Sequence, residues 1–283
     1  MDIARFRREL DSQFPGGDLY AAAPLDSRFD RVIEQIEGMS STHSLTLLNV
    51  AARCLGEDEW YLEVGSYRGR SLVGASLDHA HGRFAAIESF REFVDQHPDV
   101  SHEVVRKTLA TWGVEARVQF IRGDAFRLLP RGAVPGPVGV YFYDGAHTRL
   151  AQWLALAVAE PLLADEALVV IDDTSWPQVD KATRHYVRRH PGYELIYDLE
   201  ADQDGNSRWR DGVKVYAWRR PADWQPPSGW PLAWRRFAHL RVHEPMLAFA
   251  WRTVPRFPRL AAVLKRVYFR GSRVTPSGDR SAQ

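Results

Sequence analysis

Glu63-Val64-Gly65-Ser66-Tyr67-Arg68-Gly69-Arg70-Ser71 is the stretch on which the reading of the fold turns. It closes the apolar run Trp60–Val64, which reads as a strand, and opens a helical stretch through about His79. A strand that ends in an acid and a glycine turn, then starts a helix, suits a nucleoside ligand. Gly65 and Gly69 let the backbone approach a ligand that side chains would block. The spacing excludes two common alternatives. A dinucleotide site wants Gly-x-Gly-x-x-Gly, and a P-loop wants Gly-x-x-x-x-Gly-Lys followed by Ser or Thr; neither is present. An ordinary strand-to-helix turn would use the same glycines, so the weight of the motif comes from what surrounds it.

Outward from this turn, short apolar runs alternate with helical stretches. Arg83–Ile87, Val118–Ile121, Val138–Tyr143 and Ala167–Ile171 read as further strands. Helices are expected through about Trp112, over Leu150–Leu163 and over Lys181–Arg189. Such alternation implies parallel βαβ units with helices on both faces of one sheet. Tyr193–Leu199 and Val213–Trp218 have only the polar loop Glu200–Gly212 between them, so they should pair as an antiparallel hairpin. The expected fold is α/β: a doubly wound, mostly parallel, seven-stranded Rossmann-like sheet. Val32, Ile33, Ile36 and Met39, then Leu45, Leu48, Ala52 and Leu55, recur at helical spacing and make 1–57 an N-terminal helical segment. The sheet domain spans 58–220. Four prolines within 221–231 begin a C-terminal extension, 221–283, rich in Trp and Arg and expected to be helical.

A chain of 283 residues with 45% apolar and 26% charged residues buries a sizeable core, which excludes a mainly disordered chain or a coiled coil. The single cysteine, Cys54, excludes an internal disulfide framework and a cysteine-ligated zinc cluster, and points to a reducing cytoplasm. No uncharged apolar run reaches the roughly 18 residues that span a bilayer. The charged N-terminus, with Asp2, Arg5, Arg7, Arg8, Glu9 and Asp11, does not read as a secretory signal. Net charge is +1, but residues 229–283 hold eleven bases and two acids, a net of +9, which leaves the rest of the chain at −8. Six of the ten Trp lie between Trp209 and Trp251. The extension is therefore expected to pack its basic face on the acidic body, and it is also a candidate for contact with an anionic membrane surface.

Acids recur at the carboxyl ends of successive strands, where ligands bind in such sheets. Glu88 ends the second strand and can accept both ribose hydroxyls; Gly123-Asp124-Ala125 ends the third; Asp144-Gly145 ends the fourth. His79 and His81 form a short pair read as surface residues. Glu-x-Gly-x-x-x-Gly at 63–69 resembles the first motif of class I S-adenosylmethionine-dependent methyltransferases. Tyr143-Asp144-Gly145-Ala146-His147, followed by Ile171-Asp172-Asp173, resembles the metal-dependent macrocin- and mycinamicin-type O-methyltransferases of antibiotic biosynthesis over roughly residues 40–220.

That resemblance implies a donor site for S-adenosylmethionine built from Glu63, Gly65, Ser66, Tyr67, Gly69 and Ser71, with Glu88 and Ser89, Asp124 and Ala125, and Asp144. Gly65 would face the methionine portion, Glu88 the ribose and Asp124 the adenine. It also implies Mg²⁺ on Asp144, Asp172 and Asp173. Three carboxylates in one cleft repel one another unless a hard cation or protonation relieves them. Either Asp172 or Asp173 could alternatively cap the helix start near Trp176-Pro177. Asp144 and His147 are the expected catalytic pair. Some relatives carry an acid where this chain has Ala146, which leaves His147 to take the acceptor's proton. The expected partners are a small-molecule hydroxyl acceptor, such as a sugar, and a further copy in a homo-oligomer; no nucleic acid is expected. Two rival readings are a metal-independent methyltransferase and a non-catalytic membrane- or partner-binding protein that retains the nucleoside pocket.

Overall fold

The structure is a computed structural model, and it describes residues 1–79, 82–90, 98–201, 208–246 and 249. The N-terminal part folds as α1 (Ile3–Ser12), α2 (Arg28–Gln35) and α3 (Thr42–Arg53). The sheet and its helices follow as β1 (Trp60–Val64), α4 (Arg70–Ser76), β2 (Arg83–Glu88), α5 (Pro98–Thr111), β3 (Val118–Arg122), α6 (Ala125–Leu128), β4 (Val138–Tyr143), α7 (Arg149–Ala159), β5 (Leu163–Ile171), α8 (Pro177–Val187), β6 (Tyr193–Leu199) and β7 (Val213–Arg219). The extension contributes α9 (Trp230–Ala238), which continues through a turn of wider helix over His239–His243. β4 is buried along its whole length, as a central strand between two parallel neighbours must be.

The seven strands run in the order β3-β2-β1-β4-β5-β7-β6. β1 pairs parallel with β2 and β4, β2 with β3, and β4 with β5, whereas β7 is antiparallel to both β5 and β6. The hairpin expected from the last two strands is therefore present, with β7 inserted between β5 and β6. The chain moves outward from β1 to β3 and then returns to β4, so the crevice between β1 and β4 is the topological switch point. Register aligns the carboxyl ends there. Val64 lies opposite Ile87 and Tyr143, and Tyr143 lies opposite Ile171. Gly65, Glu88, Asp144 and Asp172, the next residue in each case, consequently emerge along one edge.

Three boundaries differ from expectation by four residues. α7 stops at Ala159 and Glu160–Leu162 forms a single tight turn, because Pro161 cannot continue the helix. β5 begins four residues early, at Leu163, and bulges on its β4 side: Val138 pairs with Leu163 but Val140 with Leu168, so Asp165 and Glu166 have no partner in β4, although Glu166 pairs with Arg219 of β7. Their polarity hid the strand start. α8 begins at Pro177 rather than Lys181, with proline in the first turn where its missing N–H costs nothing.

Two cores flank the sheet. On one face Phe6, Leu10, Phe14 and Val32 from the N-terminal helices pack in the same cluster as Tyr61, Phe84, Val140 and Leu168. On the other, α7 and α8 cover Leu62, Tyr141, Val169 and Trp218, and Leu232 and Leu240 of the extension lean on this second cluster. The guanidinium of Arg70 binds the N-terminal segment to the first turn, donating to the carbonyls of Ile33, Ile36 and Ser40. His79, expected on the surface, is instead buried edge-on to Phe84, and burial lowers its pKa to about 4. His81 lies outside the described residues, as do Leu247, Trp251, Arg252, Arg256, Phe257 and Arg259 of the tail.

Candidate functional site

Gly65 sits at φ +92°, in the left-handed region, and a Cβ there would lie 1.9 Å from the carbonyl oxygen of Asp144. The expectation was that Gly65 clears space for a ligand. The structure adds a nearer reason: the end of β4 passes so close to the turn that only glycine fits. Asp144 N–H donates to Val64 O at 2.9 Å, and Gly65 N–H donates to Ile87 O at 3.0 Å, so the three strand ends are joined at this point. Tyr67 also has a positive φ, +45°, unusual for a non-glycine residue. Gly69, at φ +86°, is the N-terminal cap of α4, and its N–H closes the turn on Ser66 O.

Glu88 holds this turn in shape. Its Oε2 accepts from the N–H groups of Ser66 (2.9 Å) and Tyr67 (3.0 Å), and its Oε1 accepts from Phe90 N–H at 2.6 Å. A carboxylate has about four acceptor sites, and these three bonds leave about one for a ribose hydroxyl rather than the two expected from the sequence. Ser89 is half-buried next to it.

Glu63 and Ser71 lie elsewhere. Both are buried beneath the turn, with Glu63 fully excluded from solvent. Glu63 Oε1 accepts from Ser71 Oγ at 2.9 Å and Oε2 from Tyr61 Oη at 3.0 Å. Burial pushes the Glu63 carboxyl up to about 7, against the stabilising hydrogen bonds. These two residues support the turn from below and do not face the crevice.

Asp124 caps α6, its Oδ1 accepting from Phe126 N–H at 2.9 Å, and Ala125 is buried behind it. The extension reaches this turn. His239 packs edge-on against the Phe126 ring at 4.6 Å, Arg236 Nε donates to Phe126 O at 3.2 Å, and Asp124, His239 and Glu244 bring ligand-capable atoms within 4.8 Å of one another. Burial, with Glu244 next, raises the Asp124 carboxyl to about 6.

On the β4–β5 side the structure assembles a second group. Asp144, His147 and Asp173 also place one ligand-capable atom each within 4.8 Å of one another. His147 Nε2 contacts Asp173 Oδ2 directly and stands 3.7 Å from Asp144 Oδ1. Asp173 is held at φ +56°, a conformation Asp tolerates better than most residues. Asp172 does not bring an atom into the group; its Oδ1 accepts from Asp173 N–H at 3.0 Å. Burial and then Asp144 and Asp173 push its carboxyl well above the usual carboxylate range. Burial likewise raises Asp144 to about 6, with His147 opposing and Asp173 reinforcing the shift. Neither carboxylate caps α8: the cap position is Trp176, which makes no side-chain capping bond. Of the sequence-derived trio, Asp144 and Asp173 thus gather around His147, and Asp172 lies beside them.

The donor set fits a divalent cation. The carboxylates of Asp144 and Asp173 converge from the ends of two strands beside the His147 imidazole, with the Asp172 carboxylate adjacent in sequence, and hard oxygen donors of this kind suit a hard divalent cation. Trp176 and Asp211 complete the surroundings. The Trp176 ring lies 5.1 Å from that of His147, and Asp211 lies near enough to Asp173 to have its carboxyl raised, after burial, by that neighbour. Neither was singled out as a site residue from the sequence. Trp176 served only as a helix-start signal, and Asp211 sits in the β6–β7 loop with no motif around it.

A family model described as a methyltransferase domain matches residues 62–174. Solved structures of similar fold include a putative O-methyltransferase from Klebsiella pneumoniae, at 20% identity and a TM-score of 0.53 over 75% of this chain and 100% of that one. The O-methyltransferase TomG from Streptomyces achromogenes, involved in tomaymycin synthesis and solved with SAM, is 20% identical with a TM-score of 0.52 over 77% and 99%. A cofactor-bound protein from MTB is 22% identical with a TM-score of 0.52 over 75% and 95%. No curated protein matches the chain.

Proposed function

We propose, from the match of residues 62–174 to a methyltransferase domain, that the chain is a class I S-adenosylmethionine-dependent methyltransferase and methylates a hydroxyl of a small molecule such as a sugar or another natural-product acceptor. The observation that carries this reading is the Asp144–His147–Asp173 group, set beside the Gly65 turn at the switch point. S-adenosylmethionine supplies an electrophilic methyl carbon, and a divalent cation, Mg²⁺ for choice, lowers the pKa of a coordinated hydroxyl. Gly65, Ser66, Tyr67 and Gly69 present backbone to the donor, Glu88 braces that turn and accepts from the ribose, and Asp124 stands at the adenine end. Asp144 and Asp173 would hold the cation. His147 holds or receives the proton that the acceptor hydroxyl loses, with Asp173 fixing its ring. Trp176 offers the acceptor a flat apolar wall.

The direct contact between His147 and Asp173 supports a second reading, in which this pair acts as base and orienting acid with no cation. Product mass spectrometry separates the two. Acceptors incubated with S-adenosylmethionine should gain one methyl group. A chelator should abolish the gain and added Mg²⁺ restore it; full turnover in excess chelator selects the metal-free pair.

A further inference from the structure

α9 has two faces of opposite use. Toward the body, Leu232 and Leu240 pack on the second core, Arg235 lies over the Trp153 ring at 4.4 Å, and Arg236 donates to the Phe126 carbonyl. These contacts fix which way the helix points. Away from the body, Trp230, Trp234 and Phe237 are 74%, 53% and 52% exposed. They follow one another at helical spacing and stack in sequence, with ring centroids 6.0 Å and 5.6 Å apart. Val242 and Met246 extend the exposed apolar stripe beyond the helix, and Arg241 is exposed between them and Phe237. Large aromatic side chains rarely stand in water as a contiguous row without an occupant.

We infer that this outward face is a docking surface for an anionic lipid bilayer, into whose headgroup region Trp230, Trp234 and Phe237 insert. Three observations favour that occupant. Tryptophan combines an apolar ring with a polar N–H, which suits the boundary between headgroups and acyl chains. The segment from 229 onward carries eleven bases and two acids, a charge that an anionic surface complements. The same charge disfavours a second copy, because like-charged segments repel one another. Among the described residues, no helix is long and apolar enough to cross a membrane, so the contact is one of lying on the surface. The inference does not depend on the chemistry of the crevice and can fail without it.

The test is co-sedimentation of the full chain with vesicles of phosphatidylcholine alone and of phosphatidylcholine with phosphatidylglycerol in equal parts. The expected result is binding to the mixed vesicles, a blue shift of tryptophan fluorescence, and weakening as salt is raised. Trp230→Ser, Trp234→Ser and Phe237→Ser combined should weaken binding at least roughly tenfold. All three side chains are exposed, so thermal unfolding of this variant should match that of the parent. Binding to neither vesicle overturns the inference. So does full retention of binding in the triple variant, which would assign attachment to the basic tail alone. A dimer in sedimentation equilibrium that the triple variant loses would replace the bilayer with a second copy. Should the triple variant fail to fold, quenching of the parent's tryptophan emission by bromine-labelled lipid decides the matter: quenching supports insertion, and its absence rules it out.

Discussion

At Glu63 a carboxylate with no solvent exposure supports the turn that the donor is expected to meet, and burial holds its pKa near 7. The ordinary value is 4.5. Below that value the group is protonated whether the chain is folded or not. Between it and about 7 the folded state keeps a proton that the unfolded state has lost, so stability falls as pH rises and levels off above about 7. The expected loss is on the order of 2–4 kcal/mol. Glu63→Gln should flatten that part of the profile, as chemical denaturation at a series of pH values would show. A variant with the parent's slope over this window would place the titration elsewhere. His147 makes a different demand. His147→Ala should lower turnover roughly 10²- to 10⁴-fold, the usual scale for removal of a base, while leaving donor affinity unchanged. Asp173→Asn should cost far more activity than Asp172→Asn, because Asp173 contacts the imidazole directly whereas Asp172 accepts from the Asp173 N–H. Equal losses in single-turnover assays would restore the trio expected from the sequence.

The first turn shows what sequence makes legible at the scale of elements and what it leaves hidden. Gly65 was readable as a residue that had to be glycine, because strand, acid and helix start bracket it. The reason, the Asp144 carbonyl 1.9 Å from a would-be Cβ, was not, since it joins residues 79 positions apart in a sequence without pairing information. Gly65→Ala should therefore disturb the β4 end as well as the turn. A cost of roughly 2–4 kcal/mol is expected from the positive φ and the clash together, measurable as a lowered midpoint of thermal unfolding. An unchanged midpoint would mean that the strand ends are not in contact. β1, β4 and β6 were legible to the residue because each is an unbroken apolar or alternating run. The start of β5 was not, because the polar Asp165 and Glu166 interrupt its pairing with β4. The same limit applies to the acid group. Asp144 was found by its place after a strand and Asp173 through the family resemblance, but His147 was read as a base beside the cluster, and nothing in a linear pattern says that its ring contacts Asp173 while Asp172 accepts from the Asp173 N–H.

For the whole molecule, the decisive feature is that the N-terminal helices share a core with the sheet they flank. Phe6 is fully buried in the cluster that contains Tyr61, Phe84 and Val140. Phe6→Ala should cost about 3–5 kcal/mol and should lower the stability of the entire chain in a single transition by circular dichroism. A separate early transition that spares the sheet would make residues 1–57 an independent unit. The sheet in turn aligns Gly65, Glu88, Asp144 and Asp172 on one edge, and on the proposed reading this alignment would make a donor crevice of otherwise scattered acids. Calorimetric titration with S-adenosylhomocysteine tests that claim most directly. Saturable binding at a single site is expected in the folded parent. Glu88→Ala should weaken it by about 1.5–3 kcal/mol, since a charged acceptor and the brace of the Ser66–Tyr67 turn are lost together. Absence of binding to the folded parent, or an affinity unchanged in Glu88→Ala, would contradict the account.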